Sequence, residues 1–126
     1  MRQSSYKIDT AQKDIRAIAG DNFVNIPIKV KKADVSAKLV NGILEAGTLL
    51  TAEGKAVTTN SSTTDAFGIV YEDVDFNNSY SADKVADNAT ETVPVMIHGF
   101  VKTKMIKLDS SNGAVEKAAL KMIAFL

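Results

Sequence analysis

Apolar residues in this chain come in short bursts, each closed off by turn formers. Between Ile43 and Met105 the bursts are Gly47-Thr48-Leu49-Leu50, Ala56-Val57, Ala66-Phe67-Gly68-Ile69-Val70-Tyr71 and Thr92-Val93-Pro94-Val95-Met96-Ile97-His98-Gly99-Phe100-Val101. Runs this short, rich in β-branched and aromatic residues and bounded by Gly, Asn, Ser or Asp, read as strands joined by tight turns. Glu53-Gly54-Lys55 reads as a three-residue hairpin turn in which glycine supplies the positive φ. Phe67, Ile69 and Tyr71 alternate with Gly68, Val70 and Glu72, which predicts one heavily apolar face and one mixed face. Thr92 to Ile106 is the longest strand candidate, with Gly99 marking a bulge or a close backbone approach.

The flanks read differently. Ile26, Ile28 and Val30 alternate with Pro27, Lys29 and Lys31, and a proline that cannot donate to a ladder puts this strand at an edge or outside the sheet. Such a strand either caps its own sheet or adds to a neighbouring protein. Before it, residues 1–22 are polar and end on Ala19-Gly20-Asp21-Asn22, a loop signal. Ile8, Ile15 and Ile18 fall near helical spacing, but the stripe is thin and a lone helix of this length is marginal in water. Two readings follow: an arm ordered by a partner, or a helix fixed on the body. The expected division is therefore an arm, 1–22, and one β-rich domain, 23–126. Ala33–Asn41 suits a helical turn or an irregular crossing. Asp75–Thr90 is a long polar insertion, of the size that tends to be functional or mobile. Near the end, Ala114–Met122 predicts a helix with Val115, Ala118, Ala119 and Met122 on its apolar face. The closing Ile123-Ala124-Phe125-Leu126 should return to the core or enter a subunit interface.

Composition narrows what such a domain can do. The chain has 126 residues, 45% of them hydrophobic, and its fifteen basic and fifteen acidic side chains cancel. A balanced chain lacks the positive field that nucleic-acid binding requires, and Lys29, Lys31 and Lys32, the one local basic knot, read as a solvated strand edge. Cysteine is absent, so disulfides and thiolate metal sites are excluded. No apolar leader follows Met1, and no run approaches the ~20 apolar residues of a membrane span. Asn60-Ser61-Ser62, Asn77-Asn78-Ser79 and Asn88-Ala89-Thr90 match the glycosylation acceptor pattern but read better as turns.

Candidate chemistry is sparse. His98 is the only histidine, and a Gly-x-Ser-x-Gly nucleophile elbow is missing; a small enzyme would have to use His98 with Asp73 or Glu72. A structural or interface role for His98 is the reading preferred here, with no enzyme activity and no cofactor expected. Glu72, Asp73 and Asp75 invite a hard cation, yet the glycine and distal glutamate of an EF-hand loop are missing. Tyr71, Phe76 and Tyr80 are the one set of aromatics that would make a sugar-stacking platform.

The order Ala46-Gly47-Thr48-Leu49-Leu50, Gly54-Lys55-Ala56-Val57, Ala66-Phe67-Gly68-Ile69-Val70, then Val93 to Val101 with Gly99, resembles the head decoration (cement) proteins of tailed bacteriophages, the lambda-type family. The resemblance covers about half the chain, from Ile43 to Met105. It implies a mainly β (α+β) fold, a small β-barrel or β-tulip with an N-terminal arm and a short C-terminal helix. It implies a homotrimer on the outside of a phage head at three-fold or quasi-three-fold sites, clamping the major capsid protein once the shell has expanded, with no nucleic-acid or membrane partner. The virion exterior, and the host cytoplasm during assembly, would be its locations. On this reading the capsid-binding arm comprises Tyr6, Ile8, Ile15, Ile18, Phe23, Ile26, Ile28 and Val30, and the trimer interface His98, Phe100, Phe125 and Leu126. A head-fibre base and a surface carbohydrate-binding module are the alternatives.

Overall fold

A computed structural model of the chain describes residues 14–18, 22–77 and 88–126. Among the described residues the strands are β1 (Val24–Lys31), β2 (Ile43–Leu44), β3 (Leu49–Leu50), β4 (Gly68–Val70), β5 (Val74–Asp75), β6 (Thr90–Val101) and β7 (Ile123–Phe125), and the α-helix is α1 (Gly113–Ala119). Two 3-10 segments, Lys32–Lys38 and Thr103–Met105, follow β1 and β6. The domain is mainly β. The main sheet runs β1-β6-β4-β3, with β7 added parallel to the end of β6, and β2 and β5 form a separate pair. Among the described residues the sheets stay open, so the expected closed barrel is not what this chain forms: β1 and β3 are both edges.

β6 is the spine. Its Thr90–His98 stretch pairs antiparallel with β1, Val95 and Met96 pair with β4, and Gly99–Val101 pair with β7. The chain's two prolines face each other, Pro27 opposite Pro94. A proline pair can stand opposite only where no N–H must cross, and the Pro94 carbonyl is turned to β4, accepting from the Tyr71 N–H at 2.9 Å. By alternation Pro27 turns its missing donor to the open edge. The edge position expected from Pro27 is therefore the one found.

Two apolar clusters lie on the two faces. Ile15, Leu49, Ile69, Met96, Val101, Leu120 and Ile123 make one; Ile28, Val30, Val35, Leu44, Leu50, Val70, Phe76, Val93 and Val95 make the other. Each such side chain, fully buried, is worth roughly 1.5–3 kcal/mol. β4 feeds both, which corrects the expected mixed face: Gly68 and Val70 are as buried as Ile69 because β3 and β6 flank β4 and a cluster covers each side. Val35, on the first 3-10 segment, plugs the second cluster and resolves the ambiguous Ala33–Asn41 crossing.

Two glycines fix the turns. Gly47 has φ +95°, and a Cβ there would lie 2.2 Å from the Met105 carbonyl oxygen. Gly54 has φ +80° in the expected hairpin, closed by Thr51 N–H to the Lys55 carbonyl at 3.0 Å.

The C-terminal helix differs from its expectation in length and in face. It spans seven residues, and Ala118, Ala119 and Met122 are exposed while Glu116 is 4% exposed. The reason is polar: Glu116 Oε1 accepts the Asp109 N–H at 2.6 Å and Oε2 accepts the Thr59 hydroxyl at 2.7 Å. A carboxylate met by two donors can be buried where an unpaired one could not. Leu120 and Ile123 then carry the apolar contact that the alanines were expected to make.

Candidate functional site

The residues expected to form a capsid-binding arm fall into separate places. Tyr6 and Ile8 lie outside the described residues, as do residues 78–87 of the polar insertion and with them Tyr80. Ile15 is fully buried in the first core cluster. Its segment is stitched to the end of β6, with Ala17 N–H donating to Phe100 O at 2.9 Å and Lys102 N–H donating to Ile15 O at 2.8 Å. Arg16 lies 5.0 Å from the centroid of Phe23 and 5.7 Å from that of Tyr71, two rings stacked 5.2 Å apart. Its guanidinium also meets both oxygens of Asp14 at 3.0 Å. Such a stacked, bidentate arginine is well fixed for an exposed group. It holds the Asp14 carboxyl below its ordinary range, while burial pushes the Tyr71 phenol up.

Residues 14–18 are thus a strap on their own body. Ile15 is a core residue of the first cluster, and Ile28 and Val30 lie in the second. Ile26 packs on that cluster and Phe23 on Tyr71, so both are partly committed. Ile18, 53% exposed, is the member of the set most open to a partner.

The four interface positions come together around the end of β6. Phe100 pairs with Ala124 and Val101 with Phe125, and Leu126 N–H donates to Val101 O at 2.9 Å. Leu126 and Met122 are each 64% exposed. Alternation places Met122, Ala124 and Leu126 on the solvent side of β7, while Ile123 turns into the core. Val24, 47% exposed, stands opposite His98, and Ile18 follows the strap that bridges to Val101. His98 and Phe100 are half-buried here. His98 Nδ1 and Asn25 Oδ1 are buried without a hydrogen-bond partner at the β1–β6 bulge.

The other candidates are used up locally. Asp73 Oδ1 accepts the Ala46 N–H at 2.7 Å and Asp75 Oδ1 the Asn77 N–H at 2.8 Å. Among the described residues no group of three or more metal-ligating side chains converges. Phe76 is fully buried and the half-buried Tyr71 stacks on Phe23, so these two members of the aromatic set expected for a sugar do not form an open platform. A cleft near α1 is lined by Lys38, Thr48, Thr59, Lys107, Asp109 and Glu116, but its buried carboxylate is already bonded and Lys107 pairs with Glu45.

Glu116 is the structural residue that sequence reading missed. Its partner Thr59 is 57 positions away, and no local spacing announces it. Comparison with known protein families, with curated proteins and with solved structures finds no match.

Proposed function

We propose that this chain is a capsid decoration protein, which binds the outside of a tailed-phage head as a trimer and stabilises the expanded shell. The observation that carries the reading is the apolar surface at the end of β6. Ile18, Val24, Met122 and Leu126, four of the six large hydrophobics exposed among the described residues, gather around the strand that also holds His98 and Phe100. Exposed apolar residues scattered singly are ordinary, whereas a contiguous patch marks an interface. The order of strand and turn residues that resembles the lambda-type family supplies the rest.

The mechanism is physical. A trimer engages several capsid subunits together, and modest contacts multiply through effective concentration. If each protomer contributed ~3 kcal/mol, loss of one would weaken attachment by roughly a hundredfold. Preference for the expanded shell over its precursor stabilises that shell by mass action. Near-zero net charge suits dense tiling, since copies need not repel one another. The partner would be the major capsid protein, and the place the virion exterior.

The strap alters how the arm can work. With Ile15 sunk in the core, a partner would be met by residues before Asp14 and by the exposed Ile18. Sedimentation velocity of the purified protein, followed by co-sedimentation with expanded heads, tests the proposal. A trimer that pellets with heads supports it; a monomer that stays in the supernatant overturns it.

A further inference from the structure

We infer that the outer edge of β7 is a strand-addition site, and that it takes an extended apolar segment of the capsid subunit bracketed by acidic residues. Backbone bonds locate the open edge. Gly99 N–H donates to Met122 O at 3.2 Å and Leu126 N–H to Val101 O at 2.9 Å, which fixes the phase of the parallel β6–β7 ladder. Alternate residues of a strand turn their N–H and C=O to opposite sides, so Ala124 addresses β6 while Ile123 and Phe125 turn away from it. Leu120 O already accepts the Ile123 N–H at 3.1 Å. The Phe125 N–H and C=O and the Ile123 C=O have no hydrogen-bond partner among the described residues. Phe125 is half-buried, and its neighbour Leu126 is 64% exposed. A donor and an acceptor side by side at a sheet edge are matched by another peptide backbone in extended form.

The edge at β1 is closed to this kind of pairing. Pro27 has no N–H to offer, and Gly54 stands so close that an added Cβ would lie 2.8 Å from the Lys29 carbonyl. Natural edges are blunted by proline, by charge or by a bulge. β7, Ile-Ala-Phe in an unbroken register with β6, has none of the three.

Charge tells which kind of segment fits. Residues 99–108 and 117–126, which build this end of the sheet, contain five lysines and no acidic residue in a chain of zero net charge. Lys121 stands before the start of β7. At its other end Leu126 O accepts the N–H of Thr103 at 3.1 Å and its hydroxyl at 3.0 Å, which brings the backbone of Lys102 and Lys104 alongside. Lys117 Nζ lies 5.8 Å from the centroid of the Phe125 ring. Lys104, Lys117 and Lys121 are exposed, and none of them forms an ion pair among the described residues. Of the acids on neighbouring segments, Asp14 is held by Arg16, Glu116 by the Thr59 hydroxyl and the Asp109 N–H, and Asp109 by the Ser111 and Asn112 N–H groups.

A second copy's β7 fits this edge badly. Antiparallel pairing of two β7 strands would set the Lys121 end of each against the end of the other that carries Lys102 and Lys104, and like charges placed opposite each other repel. Such pairing is also two-fold, whereas a trimer presents one surface of each copy to a different surface of the next. Acidic residues on either side of an incoming strand would instead meet lysines and set its register. They act at contact range, since charges more than about 8 Å apart are screened at physiological ionic strength. The exposed side chains of Met122 and Leu126 stand out of the sheet, so the face of β7 stays open to a neighbouring protomer while its edge takes the shell.

This inference rests on the decoration reading, and the test separates the two. The full chain is prepared with the Phe125 amide N-methylated, by ligation at Ala118 and desulfurisation, which deletes the free N–H and leaves the bonds to β6 in place. Beside it stand Lys104→Glu/Lys121→Glu, the milder Lys104→Gln/Lys121→Gln and a Lys29→Glu/Lys31→Glu control on β1. Far-UV circular dichroism and sedimentation velocity check fold and oligomeric state. Co-sedimentation with expanded tailed-phage heads across a sodium chloride series reads binding, and hydrogen exchange reads the Phe125 amide. In the free protein that amide should exchange fast while those of Ala124 and Leu126 are slow, and on heads it should become slow. Wild-type binding should fall with salt. N-methylation and the glutamate pair should each weaken it about tenfold, the glutamine pair less and the control not at all.

A Phe125 amide as slow as that of Ala124 in the free protein, or a folded N-methylated chain that binds heads as tightly as the wild type, overturns the strand-addition edge and leaves the decoration reading intact. Binding that ignores salt, with a glutamate pair equal to the wild type, overturns the acidic character of the segment. Wild type that binds no heads at any salt overturns both readings. An oligomer that N-methylation dissociates would replace the capsid segment with a second copy, and duplex DNA retained through Lys104 and Lys121 would replace it with a nucleic acid.

Discussion

Replacing Ile15 by alanine removes three carbon atoms from a side chain with no exposed surface, packed among Val101, Met96 and Ile123. At about 0.8 kcal/mol per buried methylene the transfer loss is roughly 2.4 kcal/mol. Incomplete collapse of the space left behind adds to it, so a total near 3 kcal/mol is expected, inside the usual 2–5 kcal/mol for such truncations. For a domain of this length each kcal/mol moves the melting temperature by about 4 °C, giving a fall of about 12 °C. Ile18→Ala, three residues on and half-exposed, should stay within about 0.5 kcal/mol. Urea denaturation at constant slope, with both variants beside the wild type, measures the difference. If Ile15→Ala lies within 1 kcal/mol of the wild type, the strap contributes nothing to the body, and residues 14–18 revert to a free arm.

Other consequences follow from single groups. Glu116→Ala leaves the Asp109 N–H and the Thr59 hydroxyl without their acceptor and should cost about 1–3 kcal/mol, with Glu116→Gln losing less; chemical denaturation ranks them. Gly47→Ala forces a Cβ onto the Met105 carbonyl at a positive φ and should abolish soluble expression or lower the melting temperature more than Ile15→Ala does. The Arg16 side chain holds the Asp14 carboxyl below its ordinary range, so its contribution is present above the ordinary carboxylate range and lost as pH falls through the depressed value. Because Asp14 is about half exposed and so screened by solvent, the effect is small, and Asp14→Asn should flatten only the acid limb of the stability profile. Burial holds the Tyr71 phenol neutral to higher pH than a free tyrosine, which an ultraviolet titration should resolve as one late-ionising group absent from Tyr71→Phe.

What could be read from the sequence was whatever is written in neighbouring residues. Pro27 among alternating isoleucines declared an edge strand, Gly54 between Thr51 and Lys55 a hairpin, and the unbroken Val93–Val101 run the central strand. What could not be read depended on distant partners. Ile15 looked like part of a thin helical stripe because its socket is made by β6 and β7, more than eighty residues away. Glu116 looked like a solvated helix charge because its donors are Asp109 and Thr59. Phe76 sits in a stretch that reads as polar loop, yet its ring fills the second cluster.

Electron cryo-microscopy of the protein mixed with expanded and with precursor tailed-phage heads tests the proposed function most directly. The account predicts three-lobed density at the three-fold and quasi-three-fold positions of expanded heads, with the end of β6 and β7 at the lobe contacts, and bare precursor heads. Bare heads of both kinds under conditions where the protein is folded, or single lobes seated without threefold company, would contradict it.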